Sequence, residues 1–283
     1  MSKTEPPVTG KFPVGNVIHD NPWESLREFT AARIALGRAG SSLPTREVLK
    51  FGLAHAQARD AVHQPFDSET LAGQLEADGL STLTVHSAAP TRETFLCRPD
   101  LGRKLAEDSR RMLLDYPDKQ ADLLLVVGDG LSSKAVHRQA VPFIRALLPY
   151  LSMLGLKPAP VVLAHQSRVA LGDDIGECLQ AKAVAILIGE RPGLSSPDSL
   201  GIYFTWGPNT RRLESERNCI SNIRPEGLDY PQAAFKLAWL LEQARQRRLS
   251  GIELKDESDN PALYGLVKPL FELREQHHPI VKL

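Results

Sequence analysis

With 283 residues, 42% of them hydrophobic, the chain can bury one large core or two average ones, which excludes disorder as its main state. Its 34 Lys+Arg balance 34 Asp+Glu, so no net field draws it towards nucleic acid or an anionic bilayer. Cys97, Cys178 and Cys219 form no CxxC pair. That usage suits reduced cytosolic thiols better than a disulfide framework or a zinc site.

The opening MSKTEPPVTGKFP lacks the apolar stretch of a secretory signal. The longest apolar runs, such as Ala183 to Ile188, fall far short of the ~20 residues that cross a bilayer. A soluble protein, not exported by that route, is expected. Residues 1–20, rich in Pro, Gly and Thr, carry no periodicity and are expected to be a flexible arm.

From Asn21-Pro22 the pattern turns helical. Trp23, Leu26, Phe29, Ala32 (or Arg33) and Leu36 follow at three- and four-residue steps, and Gly37 and Gly40 end the run. Thr45 caps a second predicted helix through Val48, Leu49, Leu53 and Ala56 to the breaker Gln64-Pro65, expected to lie against the first. A short strand is predicted around Leu83–His86 and a helix from Arg98 to Asp115, making 21–115 a mostly helical region.

Beyond it the text alternates as in an α/β layer. Residues 121–130, 158–167, 183–190 and 200–206 are continuous apolar runs, as expected of parallel strands covered on both faces. A helix is predicted from Lys134 to Leu154, kinked or shortened by Pro142 and Pro149, and another from Pro231 to Arg248. The expected organisation is an arm (1–20), the helical region (21–115), a mostly parallel sheet domain (116–255) and a tail (256–283). In the tail, Leu263, Leu266, Val267, Leu270, Phe271 and Leu273 could form an amphipathic helix, either as extra packing or as a contact with another protein.

Short motifs exclude more than they assign. Gly128-Asp129-Gly130 follows a strong strand, but Ser133 stands where a dinucleotide fingerprint needs its third glycine. A tight strand-to-helix turn is the default. Lys134 after Ser132 and Ser133 lacks the rest of a phosphate loop, leaving a capped helix. The eight histidines show no compact ligand spacing, and His55, Arg59 and His63 form a stripe expected to face solvent or a partner. No GxSxG elbow is present.

Parallel sheets bind ligands beyond the carboxyl ends of their strands. Three polar loops should meet there: 167–176, 189–194 and the segment 216–223. A carboxylate, a thiol and backbone groups on one rim suit a bulky ligand with amide edges and an apolar plate. Ordinary turns, with Glu190 paired to Arg191 or another arginine, would explain the same text.

Five blocks carry a resemblance: ARIALGRAGSSLPTREVLKFGLAHAQARDAVH (32–63), DLLLVVGDGLSSKAV (122–136), VALGDDIGE (169–177), IGERPGLSSPDSLG (188–201) and RNCISNIRPEG (217–227). They resemble the small (light) subunit of adenosylcobalamin-dependent ethanolamine ammonia-lyase. The resemblance implies an α/β fold, with a helical N-terminal region followed by a Rossmann-like, mostly parallel sheet domain over 116–255. It also implies docking on a TIM-barrel large subunit, with cobalamin held between the two. The family's cobalamin contacts fall here on Val169, Glu190 and Cys219. Substrate and adenosyl contacts lie chiefly on the large subunit, so no catalytic residue and no metal ligand is expected on this chain.

The implied reaction is the radical deamination of ethanolamine to acetaldehyde and ammonia. None of the eight histidines has Asp two positions before it, so DxHxxG is absent and base-on cobalamin is expected. The implied setting is the cytosol, where a microcompartment shell is a further candidate partner for the tail. Two other readings stand beside this one: a free-standing nucleotide-dependent α/β oxidoreductase, and a non-catalytic assembly module.

Overall fold

The computed structural model describes residues 18–19, 21–156 and 159–260. The chain divides into two compact units, residues 1–56 and residues 57–283. The tail's predicted helix lies outside the described residues.

In the first unit, β1 (Ile18–His19) pairs antiparallel with β2 (Arg38–Ala39), and α1 (Thr45–His63) begins. The helix expected from Trp23 to Leu36 does not form. A 3-10 turn spans Glu24–Glu28, and Ala35 and Gly37 take left-handed backbone conformations before β2. A short isolated helix is marginal unless its apolar stripe packs. Here Trp23 is 64% exposed and Phe29 84% exposed, so nothing within the described part of the first unit rewards the helical form. The first predicted helix is therefore absent, while α1 stands where the second was expected.

The second unit is built on a six-stranded, mostly parallel sheet in the order β3-β5-β4-β6-β7-β8. The strands are β3 (Thr82–His86), β4 (Leu124–Gly128), β5 (Val161–His165), β6 (Ala183–Gly189), β7 (Leu200–Trp206) and β8 (Asn218–Ile223). The first four are parallel. β7 pairs antiparallel with β6, and β8 antiparallel with β7, which corrects the expectation of a parallel strand at 200–206 and of a loop at 216–223. The reason is the connection: a parallel return needs a crossover, usually a helix, and residues 190–199 contain none.

Successive strand residues point to opposite faces, so each apolar run feeds two cores. Leu125, Val127, Leu163, Ala185 and Leu187 pack with α2 (Ser68–Ala77), α5 (Ser133–Met153) and α7 (Tyr230–Arg247). Leu124, Val126, Ala164, Ile186 and Ile188 pack with α4 (Glu107–Asp115) and α6 (Leu171–Cys178). Residues 98–106, expected to be helical, hold only a 3-10 turn at Leu101–Arg103, and the short α3 (Arg92–Cys97) precedes them.

Pro142 and Pro149 do not break α5. The carbonyls they leave unpaired, four residues back, belong to Arg138 and Arg145, both exposed, so water can satisfy them. Asp229 caps α7 by accepting from the Gln232 amide, and Arg248 closes it in a left-handed conformation. Among the described residues no helix is long and apolar enough to cross a membrane.

Candidate functional site

β4 lies between β5 and β6 in the sheet, and the connecting helices α5 and α6 pack on opposite faces. Such a switch opens a crevice beyond the strands' carboxyl ends. A cavity of about 410 Å³ occupies it here, lined by Gly130 and Leu131 after β4, Arg168 and Val169 after β5, Ile188 to Arg191 at the end of β6, and Tyr203 of β7.

The turn after β4 is fixed by close packing. A β-carbon on Gly130, whose φ is +55°, would fall onto the carbonyl oxygen of Gly189. This glycine therefore serves the approach of two loops, and the helix behind it is capped by Ser132, which accepts from the Ala135 amide at 3.2 Å. Neither feature makes a dinucleotide or phosphate loop.

Between these glycines' loops, Asp129 is buried and accepts from three donors: the backbone N–H of Ser167 at 2.8 Å, that of Gln166 at 3.0 Å and Arg92 Nη1 at 3.2 Å. Burial nevertheless pushes its carboxyl up to about 6, against the pull of Arg92. Arg92 also donates to the Gly130 carbonyl at 2.8 Å. Its guanidinium and that of Arg168 both lie over the Phe95 ring, at 4.8 and 4.3 Å from the centroid. Polar atoms left without partners concentrate here: Arg92 Nη2, Gln166 Oε1, Ser167 Oγ and Arg168 Nε are buried and unbonded.

Val169 and Glu190 both line the cavity. Glu190 is half-buried and makes no ion pair within 4 Å among the described residues; Ser199 Oγ donates to Oε2, and the Asn222 amide donates to the same oxygen at 3.3 Å. Pairing with Arg191 is thus not what holds it. The carboxylate instead ties the start of β7 to the end of β8, so it has a structural tether as well as a cavity-facing position.

Cys219 stands opposite Tyr203 in the β7–β8 register, which sets the two side chains beside each other. Burial and the neighbouring Cys219 and Glu190 push the Tyr203 hydroxyl up to about 12. Burial also raises the Cys219 thiol, so both groups are protonated at neutral pH. Cys219 does not itself line the cavity; its register partner Tyr203 does. Cys97, Cys178 and Cys219 are all free thiols.

The acidic pair Asp173-Asp174, part of the predicted rim, is spent on the fold. Asp173 is bound by Arg217, and Asp174 accepts from the Leu105 amide at 2.9 Å and from Arg110. Arg168 falls within the predicted rim loop 167–176 without being singled out there, and Tyr203 and Arg92 are not among the predicted site residues. The phenolic hydroxyl in the largely apolar LGIYFTW run is the available signal for Tyr203; nothing local marks Arg92, which comes from a distant helix. The stripe of His55, Arg59 and His63 on α1 is exposed. Among the described residues no group of three or more His, Cys, Asp or Glu could hold a metal ion.

Comparison with known proteins matches residues 20–255 to the family described as Ethanolamine ammonia-lyase light chain (EutC). The chain is 53% identical over 249 residues to the ethanolamine ammonia-lyase small subunit of Pseudomonas aeruginosa (strain UCBPP-PA14), covering 87% of this chain and 91% of the relative. It is 54% identical over 241 residues to that of Pseudomonas fluorescens (strain Pf0-1), covering 84% and 88%. With the small subunit of Pseudomonas fluorescens (strain SBW25) the identity is 50% over 269 residues, covering 92% and 95%.

Proposed function

This chain belongs to the ethanolamine ammonia-lyase light-chain family, and from that premise we propose that it forms one lip of an adenosylcobalamin site completed by a TIM-barrel large subunit. The complex converts ethanolamine to acetaldehyde and ammonia. The cofactor supplies the radical chemistry when bound. The contribution of this chain is to seat, orient and help exclude water from it. In the same reading the sheet domain is a Rossmann-like scaffold whose strand-end loops carry the cofactor contacts.

One observation carries the proposal: Val169 and Glu190, named by family resemblance, line one crevice at the topological switch, with Cys219 behind Tyr203 on its wall. The donor set fits a corrin edge. Glu190 Oε1 offers an acceptor to peripheral amide N–H groups, Tyr203 offers a protonated hydroxyl, and Val169 and Ile188 offer apolar contact. The cavity is far smaller than a corrin, so it can take only an edge, which is what a site shared between subunits requires. Assembly surface is available on the first unit, where Trp23, Phe29, Leu49 and Leu53 are exposed.

Co-purification of this chain with a large subunit should give a complex whose absorption shows a bound corrinoid; a tight NAD(H) complex of this chain alone would sink the proposal and favour the oxidoreductase. Glu190→Gln is expected to lower cobalamin affinity of the complex by about 1.5–3 kcal/mol, the worth of a charge-assisted hydrogen bond. Glutamine is preferred to alanine because an oxygen remains for Ser199 and Asn222. An unchanged dissociation constant removes Glu190 from the site.

For Cys219→Ala the expected loss is small, about 0.5–1.5 kcal/mol of affinity, since only a neutral contact with its register partner Tyr203 disappears. Full affinity and activity in that variant would reduce Cys219 to a packing residue. Val169 acts by shape. The cofactor binds base-on in this proposal, and superhyperfine coupling from a protein imidazole in the electron paramagnetic resonance spectrum of the loaded complex would refute that. Residence in the cytosol, inside or outside a microcompartment shell, belongs to the same reading and is tested by co-fractionation with shell particles.

A further inference from the structure

Arg168 is held as few surface arginines are. Its backbone N–H donates to the Gly102 carbonyl at 2.8 Å, and its side chain presses on Gly102, where a β-carbon would lie 2.9 Å from Arg168 Cγ. The guanidinium is stacked over Phe95 at 4.3 Å. So anchored, it makes one long hydrogen bond, from Nη2 to the Phe95 carbonyl at 3.4 Å, while Nε is buried with no partner.

What it lacks is a counter-ion. Arg92, Arg110 and Arg217 each have a buried aspartate, at Asp129, Asp174 and Asp173 respectively. Arg168 has no carboxylate within 4 Å among the described residues, and the nearby Asp129 is already engaged by Arg92 and two backbone amides. A preorganised, partly desolvated cation on a cavity wall recognises an anion, and the planar guanidinium matches phosphate oxygens.

We propose that Arg168 receives the phosphodiester of the nucleotide loop of a base-on corrinoid. The phosphodiester is the anionic group on a periphery that otherwise bears neutral amides. The assignment rests on the reading of this crevice as the cobalamin lip, and adds to it the residue that distinguishes a complete cobalamin from a corrinoid without its nucleotide loop.

The test uses the complex of this chain with its large subunit, titrated calorimetrically with cyanocobalamin and, separately, with cobinamide, which has no nucleotide loop. Arg168→Gln is expected to weaken cyanocobalamin binding about 10- to 100-fold while shifting cobinamide by less than about twofold. Arg168→Lys, which keeps the charge and loses the fork, should recover part of the difference. Equal losses for both ligands, or no loss for either, overturn the assignment.

So does a loop-selective loss produced by Arg191→Gln and not by Arg168→Gln, because Arg191 is the exposed arginine on the same cavity. If Arg168→Gln fails to assemble, Arg168→Lys decides alone: a reduced preference for cyanocobalamin over cobinamide supports the proposal, and an unchanged preference overturns it. Glu190→Gln separates this inference from its premise. It should weaken both corrinoids alike, and binding of both that is untouched by it would remove the premise whatever Arg168 does.

Discussion

Asp173→Ala is expected to lower the free energy of unfolding by about 3–5 kcal/mol, because it leaves a guanidinium buried without its carboxylate. Asp173 on α6 and Arg217 ahead of β8 are each only 2% exposed. Arg217 donates Nε and Nη2 to Asp173 Oδ2 at 2.8 and 2.6 Å, and Nη1 to Glu214 at 2.7 Å. Urea unfolding of the isolated chain measures the loss, and a cost below about 1 kcal/mol would show that Glu214 and water compensate Arg217. Replacing both partners, Asp173→Leu with Arg217→Met, should recover most of the stability, since an apolar pair avoids the desolvation of two charges.

The consequence reaches the site. Arg217 is two residues before Cys219, and its clamp on α6 sets where β8 starts beside Tyr203. The single variant should therefore weaken cobalamin binding as well as the fold, and the apolar double variant should restore both together.

Asp129→Asn is expected to cost about 2–4 kcal/mol at pH 7 despite its near-identical shape. Donors face both carboxylate oxygens of Asp129, so whichever way the amide is turned its NH2 meets an N–H. Arg92 would also lose its counter-ion while two guanidiniums remain over Phe95.

The pH dependence has a definite sign. Burial holds the Asp129 carboxyl at about 6 in the folded chain, above the unfolded value near 4. Its contribution is fully present below about pH 4 and is lost as pH rises through about 6, where the folded state gives up a proton the unfolded state has already released. The stability gap between the native chain and Asp129→Asn should narrow over that window. A gap that widens with pH would mean that Arg92, not burial, governs the carboxyl.

The runs ADLLLVVGDG and AVAILIGE could be assigned to buried parallel strands because both of their faces are apolar, and β4 and β6 lie where those runs stand. From them followed the rule that the loops after the strands meet, and those after β4, β5 and β6 do share one cavity. LGIYFTW has the same apolar text, yet β7 runs the other way. Apolarity reports burial and carries no strand direction; the helix-free connection 190–199 decided it.

RNCISNI reads as loop because its polar residues mask a strand whose two buried positions are Ile220 and Ile223. At the other end, the three- and four-residue spacing from Trp23 to Leu36 promised a helix. Periodicity states only which residues could share a face, and no surface in the described part of the first unit takes that one.

The sequence by itself determined the α/β class, the positions of the parallel strands, the convergence of the loops that follow β4, β5 and β6, and the family. The tertiary structure alone decided the charge pattern of the site: that Asp173 and Asp174 are consumed by arginines, that Glu190 is tied to Ser199 and Asn222 rather than to an arginine, and that Arg168 is left unpaired. The physical reason is that an ion pair is set by distance and burial in space. Its partners here are separated by tens of residues along the chain, which no local pattern can join.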